Sequence, residues 1–350
     1  MLTKKQLEEV REHLENAKNP IFYYDNDSDG LCSYIILRRF LGRGKGVAVR
    51  SFPDLDGGYA RKAKELNADY VFVLDKPVLS KEFVDSIESF GLPLVWIDHH
   101  DVPREEFEKD FKNVFIFNPA RNSGNDKSEE PVTYLAYKIT GRREELWLAV
   151  VGCIADHFLP NFVKEFGEHY PEFWGKVKEP FDAYFGTEIG RIAMALNFGL
   201  KDSVTHVVQL QNFLISCKGP ADVFMESYSN HSFRRKYLDV RKKYDSLLEK
   251  AKNSVGENLV FFEYGGEMSI SADLSNGLYY RYPGKYIVVA YRKGEIANLS
   301  MRGKNVKKIL AKALKDVDGT GGGHDDAVGA RIRASDLKEF KRVLEEEIGK

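Results

Sequence analysis

A chain of 350 residues, 43% of them hydrophobic, can bury one large core and has the length for two, which excludes a disordered protein. Its net charge of -1 provides no global field for coating nucleic acid, so any such contact has to come from a local basic surface. Cys32, Cys153 and Cys217 lie too far apart in sequence for a disulfide framework or a Cys-x-x-Cys clip, and no apolar run reaches membrane-spanning length. The expectation is a reduced, cytoplasmic, globular protein with no membrane partner, opening on a charged amphipathic helix with no export signal.

From residue 1 to about 157, strand and helix patterns alternate. Pro20 to Tyr24 reads as a strand and Leu31 to Leu41 as a helix, with Leu31, Tyr34, Ile35 and Leu37 on helical spacing. Val47 to Val49 leads into a turn containing Pro53, Asp54, Gly57 and Gly58, and Tyr59 to Leu66 is helical. Strands follow at Tyr70–Leu74, Leu92–Ile97 and Val114–Phe117, with a helix over Lys81–Phe90. Continuous β-branched and aromatic runs separated by helices imply a mostly parallel sheet covered on both faces.

The acidic positions carry the functional signal. Asp25, Asp27 and Asp29 follow the first strand, with Gly30 expected to permit the turn into the helix. Asp75 ends a second strand, and Asp98-His99-His100 ends a third. These are the carboxyl ends at which open α/β sheets place their sites. Asp156 sits in an otherwise apolar helix over Val150–His157, whose buried face has little reason to carry a charge. The Asp-x-Asp-x-Asp-Gly run also opens a calcium loop, but the twelfth position needs a glutamate and here is Ile36. Any one of the others could be a helix cap or an ion pair. Together they suit a divalent cation, which neutralises carboxylates that would otherwise be costly to cluster.

Residues from about 158 to 256 read as helical, with Phe162, Phe166, Phe173, Trp174, Phe181, Tyr184 and Phe185 as core-sized aromatics. The last of these helices carries Arg234-Arg235-Lys236 and Arg241-Lys242-Lys243. That pattern fits either a solvated face or a basic wall that grips phosphates. Short strands then appear at Leu259–Glu263, Tyr286–Tyr291 and Ile296–Met301, followed by a helix over Val306–Leu314. A glycine-rich loop at Gly319–Gly323, a strand at Ala327–Ile332 and a helix from Ser335 complete the chain. Backbone amides in such a loop, unobstructed by side chains, can approach a phosphate closely.

Taken in order, Asp25-x-Asp27-x-Asp29-Gly30, Asp75, Asp98-His99-His100 and Asp156 resemble the four motifs of the DHH phosphoesterase superfamily. Gly319-Thr320-Gly321-Gly322-Gly323-His324 is similar to the Gly-Gly-Gly-His signature of the associated DHHA1 domain. Within the superfamily the chain looks closest to archaeal RecJ-like nucleases, including the compact branch of the Hef-associated nuclease. The resemblance implies an α/β DHH catalytic domain over 1–157, a helical insertion and connector over 158–256, and a smaller α/β DHHA1 domain over 257–350, with the active site in the cleft. It implies two divalent ions, Mn2+ before Mg2+ or Co2+, on Asp27, Asp29, Asp75, His99 and Asp156, with Asp75 bridging. His100 would contact the scissile phosphate beside Asp98 and Asp25 in the catalytic group. Many members have a histidine where this chain has Tyr23, and Asp25 is the replacement ligand at hand. Ser300, Arg302, Gly322, Gly323 and His324 would bind the substrate end.

The function implied is a single-strand exonuclease on DNA or RNA, 3′ to 5′, in DNA repair, using water activated between two metals. Two alternatives stand beside it: a hydrolase of short oligonucleotides or cyclic dinucleotides like the nanoRNases, and an inactive replication or repair scaffold. A Hef-like helicase partner is a further implication of the resemblance.

Overall fold

The computed structural model describes residues 1–51, 54–103, 108, 112–122 and 130–349. Pro53, expected in a turn, lies outside them. The chain forms two compact units, residues 1–237 and 238–350.

In the first unit the order is α1 (Lys4–Asn16), β1 (Pro20–Asp25), α2 (Ser28–Leu41), β2 (Lys45–Val49), β3 (Asp54–Leu55), α3 (Ala60–Glu65), β4 (Tyr70–Leu74), β5 (Val78–Leu79), α4 (Lys81–Ser89), β6 (Leu94–Ile97) and β7 (Val114–Phe117). Helices α5 (Val132–Thr140), α6 (Leu146–Ala155), α7 (Val163–His169), α8 (Pro180–Gly186), α9 (Glu188–Gly199), α10 (Val204–Ser216) and α11 (His231–Ala251) follow, the last running on into the second unit. Five strands form one sheet in the order β2-β1-β4-β6-β7, every pair parallel. The chain leaves β1 for one neighbour, β2, and later returns on the other side as β4. That reversal beside β1 makes the carboxyl ends of β1 and β4 the topological switch point, where the loops part and leave a crevice.

Near-continuous apolar strands are possible because both faces are covered. Ile21, Tyr23, Val71, Val73, Leu94 and Trp96 pack with Ala60, Ala63, Phe83, Val84 and Ile87 of α3 and α4. Phe22 and Phe72 stack at 5.0 Å between ring centres, Tyr24 stacks on Tyr34 of α2 at 5.2 Å, and α5 and α6 pack on α2. Helices α7 to α10 belong to this unit. α9 packs on α6, and Gln211 of α10 donates to the Tyr24 hydroxyl at 2.6 Å. Cys32, Cys153 and Cys217 are buried free thiols.

The second unit adds β8 (Leu259–Gly265), α12 (Ser271–Arg281), β9 (Tyr286–Lys293), β10 (Ile296–Arg302), α13 (Val306–Ala313), β11 (Gly319–His324), β12 (Ala327–Arg333) and α14 (Leu337–Ile348). Its sheet runs β11-β12-β10-β9-β8, antiparallel except for the β8–β9 pair. One face buries Leu299, Met301, Val328, Ala330 and Ile332 with Leu310 and Phe340 of α13 and α14. The glycine-rich segment expected as a loop is the edge strand β11, in register with β12 from Gly319↔Ile332 to His324↔Ala327. Glycine is a poor strand former alone, but a Cβ on Gly321 would meet Ala330 Cβ at 2.8 Å and Leu310 Cδ2 at 3.0 Å, so the absence of side chains is what lets α13 close on this strand. Among the described residues no helix is long and apolar enough to cross a membrane.

Candidate metal centre

The acidic positions converge at the carboxyl ends of β1, β4 and β6. Three groups each offer donor atoms within 4.8 Å of one another: Asp25, Asp27 and Asp75; Asp29, His99 and Asp156; and Asp75, His99 and His100. Asp75 and His99 each belong to two of the groups, so the three form one centre. Asp75 takes φ +61°, a left-handed conformation that aspartate tolerates better than most residues, as the chain turns off β4. Asp156 does not lie on a buried helix face as the sequence suggested. It follows the last residue of α6 and its side chain is 37% exposed, with Oδ2 3.6 Å from His99 Nε2.

Several of these residues are anchored by contacts outside the carboxylate cluster. Asp27 caps α2, its Oδ1 accepting from Gly30 N at 2.9 Å. Gly30 is needed for space and not for a turn: it lies inside α2, where a Cβ would be 2.8 Å from Asp25 N and closer still to Asp25 O. Asp29 accepts from Thr133 N at 2.8 Å and Val132 N at 2.9 Å, so the N-terminus of α5 holds both of its oxygens. Ser28, between them, gives its amide (2.8 Å) and hydroxyl (2.7 Å) to Asn197 Oδ1 on α9. Asp98 is fully buried and stands behind His100: Oδ1 takes His100 Nδ1 at 2.8 Å and Oδ2 takes Asn118 Nδ2 at 3.0 Å.

Tyr23 supplies no donor. Its hydroxyl reaches across the α3–α4 core to the Tyr59 carbonyl at 2.9 Å. Sequence reasoning missed Lys76, whose side chain is fully buried and whose Nζ lies 3.0 Å from Asp25 Oδ1 and 2.9 Å from the Ser51 carbonyl. A lysine two residues past a strand end gives no hint of burial until the partner carboxylate is in place.

The electrostatics fit a cation site. Burial, then the charges of Asp25 and Asp29, push the Asp27 carboxyl up to about 8. Burial and the neighbouring aspartates raise Asp75 well above the usual carboxylate range, and burial raises Asp156 to about 6 against the opposing pull of His99. Burial alone would lower His100, but its bond to Asp98 outweighs that and holds it up to about 9. Carboxylates that resist ionisation together ionise readily around a divalent ion, and an oxygen-rich set with one or two imidazoles suits Mn2+ or Mg2+.

In the second unit, Ser300 is buried and its Oγ lies 3.2 Å from Ser271 Oγ. Arg302 donates Nε to Asn276 Oδ1 at 2.6 Å, and burial lowers its guanidinium to about 10. Gly322 and His324 are exposed on β11, and Gly323 takes φ +139°. Gly322, Gly329 and Ser300 stand side by side on adjacent strands, with Thr320, Arg331 and Asn298 as the next row on that face. On α11 the mixed reading resolves toward packing. Phe233, Tyr237, Tyr244, Leu247 and Leu248 are buried, while Arg234 pairs with Glu226 and Arg241 with Asp245.

No curated protein sequence matches the chain. Among solved structures, it is similar to RecJ in complex with Mn2+ from Thermus thermophilus, at TM-score 0.69 and 16% identity over 100% of this chain and 55% of that one. The chain thus spans about half of that relative. An exonuclease RecJ bound to manganese matches at TM-score 0.62 and 15% identity over 100% of this chain and 95% of that one. A pGpG-specific phosphodiesterase, PggH from Vibrio, matches at TM-score 0.51 and 13% identity over 95% and 99%. Residues 21–154 match the model of the DHH family, N-terminal domain, and residues 256–350 that of the DHHA1 domain, so the chain belongs to the DHH/DHHA1 superfamily with a RecJ-like fold.

Proposed function

We propose that this protein is a metal-dependent phosphodiesterase that shortens single-stranded nucleic acid from one end, with 3′-to-5′ polarity. The observation that carries the reading is the meeting of five aspartates and two histidines, from Asp25 at one end of the stretch to Asp156 at the other, at a topological switch point. Divalent ions there, Mn2+ first among them, would supply an activated water and offset charge on the phosphoryl oxygens. Asp27, Asp29, Asp75, His99 and Asp156 would hold them. Asp98 and Asn118 fix the ring of His100, which suits it to neutralise charge on the phosphate as the leaving oxygen departs. The likeness to RecJ and to a pGpG phosphodiesterase supports phosphodiester chemistry and leaves substrate length as the variable.

Substrates longer than a dinucleotide are favoured by the exposed edge of the second sheet at β11 and β12. Arg331 and Arg333 project from alternate positions of β12, both exposed, about 7 Å apart at 3.4 Å per residue. Among the described residues Arg331 has no ion-pair partner, and Arg333 has only an exposed pair with Asp318. Such a pair is worth little and exchanges easily for a phosphate. Together with Ser300, Arg302, Gly322, Gly323 and His324, they would bind the backbone of the substrate end.

The test is digestion of 5′- and 3′-labelled strands of graded length with Mn2+. Stepwise shortening from the 3′ end, lost in Asp75→Ala and His99→Ala, is expected. Cleavage of dinucleotides alone would favour the pGpG-type reading, and full activity in both variants would remove the metal-centre reading.

A further inference from the structure

Among the described residues, Lys76 is the one lysine buried to zero exposure, and it is buried against the acidic centre. Its backbone is fixed as well as its side chain, since the Lys76 carbonyl accepts from Trp96 Nε1 at 2.8 Å. A buried ammonium is tolerated when an anion and further acceptors surround it, and Asp25 Oδ1 at 3.0 Å with the Ser51 carbonyl at 2.9 Å supply these. Asp25 also belongs to the group it forms with Asp27 and Asp75, where Tyr23 has turned away and left no imidazole. The two ends of the centre therefore differ in kind. Asp29, His99 and Asp156 present two carboxylates and an imidazole, with Asp29 oriented by the α5 amides. Asp25, Asp27 and Asp75 present three carboxylates, one of which already carries a fixed positive charge. An ammonium bonded to Asp25 meets part of the demand that a divalent ion would meet, and repels an ion placed at the same corner.

We propose that Lys76 is a resident monovalent cation of this centre and makes its two ion positions unequal. The Asp29–His99–Asp156 corner fills first, and the Asp25–Asp27–Asp75 corner fills only at higher concentration. The inference rests on the metal-centre reading and concerns affinity, not turnover. As a positioning residue Lys76 also keeps Oδ1 of Asp25 engaged, so that Oδ2 is the oxygen left for an ion. A lysine acting only as a structural prop would alter folding and leave the ratio of the two affinities unchanged.

The experiment is a titration of the full-length protein with Mn2+, following the signal of the free hexaaquo ion by electron paramagnetic resonance. Wild type is expected to show two classes of ion at least tenfold apart, or one ion only. His99→Ala should remove the tighter class. Lys76→Met, which keeps the length of the stem and removes the charge, should tighten the weaker class at least tenfold, or create it, and move the tighter class less than threefold. Asp25→Asn should weaken the weaker class at least tenfold. Equal affinities in wild type, or a weaker class that Lys76→Met leaves unchanged or weakens, would overturn the proposal. Should Lys76→Met not fold, Asp25→Asn decides: loss of the tighter class in place of the weaker one overturns it. Absence of bound Mn2+ in wild type would remove the metal-centre reading along with this inference, whereas bound Mn2+ without phosphodiester hydrolysis would remove the activity alone.

Discussion

Gly152 is far from any motif residue in sequence distance except Asp156, yet the structure makes it a support of the metal centre. It lies on α6 where that helix crosses α5. A Cβ built there would stand 2.7 Å from both Cβ and Cγ2 of Thr133 and nearer still to its Oγ1. Thr133 cannot give way. It is fully buried, β-branched and therefore stiff at χ1, and tied at both ends to Asp29: its amide donates to Asp29 Oδ1 at 2.8 Å and its hydroxyl to the Asp29 carbonyl at 2.8 Å. In Gly152→Ala the strain must therefore part α5 from α6, and α5 carries with it the two amides that orient Asp29. Overpacking of this kind costs about 1–3 kcal/mol. Better helix propensity returns up to about 1 kcal/mol. Weakening two amide bonds to a carboxylate adds roughly 1–2 kcal/mol. The net is a loss of about 2 kcal/mol, or a melting midpoint lower by roughly 4–8 °C for a unit of this size. The second consequence is specific: the ion position built on Asp29, His99 and Asp156 should lose affinity by roughly tenfold or more, as when outer-shell support is removed. Calorimetry and a Mn2+ titration measure the two effects on one preparation. Thr133→Ala in the same chain removes the closest contact but not the Cβ, so it should restore stability only in part. A Gly152→Ala protein with wild-type midpoint and Mn2+ affinity would refute the chain of reasoning from helix crossing to ligand.

Three further outcomes are expected. In the ion-free protein Asp27 and Asp156 are raised to about 8 and about 6, so between about pH 4 and 8 the folded chain holds more protons than the unfolded one. Its stability should fall as pH rises through that window, and Mn2+ should raise the melting midpoint more at pH 8 than at pH 5; a midpoint that climbs with pH in chelator would contradict this. Bound ligand at 100 times its dissociation constant is worth about 2.7 kcal/mol, enough to be read directly. Asp98→Asn removes the anion that holds His100 at about 9, and because burial acts the other way, its NMR titration midpoint should drop below 7 with roughly 10- to 100-fold less activity. An unmoved His100 midpoint would mean another group sets it. Arg331→Ser should weaken binding of a 12-nucleotide strand and lower the salt dependence by about one counterion while sparing a dinucleotide; equal loss on both substrates would remove the reading of Arg331 as a contact that only longer strands make.

How much of this is legible before the fold is known follows from the physics of each element. Parallel strands end where sites are built, so Asp25, Asp75 and Asp98 can be read from apolar runs that stop at an acid, and the ordered motifs point to the family. The strand β11 reads as a loop because glycine has no side chain to signal a period; its pairing with β12 and its contact with α13 are tertiary. Helix α12, Ser271–Arg281, gives no clear signal because its sequence mixes serine, aspartate, asparagine and glycine with few apolar positions, and it is held by packing on β9 and β10. Gly30 suggests a turn when its requirement is clearance from the Asp25 backbone. Lys76 and Asn197 cannot be read at all. Each reaches the site through a partner far off in sequence, Asp25 at 51 residues and Ser28 at 169, and a single sequence does not disclose such pairs.

The supports share a logic that connects them. A cluster of five carboxylates opposes folding until cations arrive, so the ligands have to be held by contacts that do not depend on the ions. Asp27 is held by the first turn of its own helix, Asp29 by the amides of α5, Asp25 by Lys76, and the segment between the first two by Asn197. Two of these four are uncharged donors, which orient a carboxylate without neutralising it and so leave its charge for the metal, while Asn197 accepts from the Ser28 amide and hydroxyl and so holds the backbone. The fourth, Lys76, neutralises as well as orients, and it is applied to Asp25. The helices following α6 are thus more than a connector: by way of Asn197 on α9 they fix the backbone of the ligand loop itself. The centre should consequently keep its geometry when the ions are withdrawn, and lose stability without losing shape.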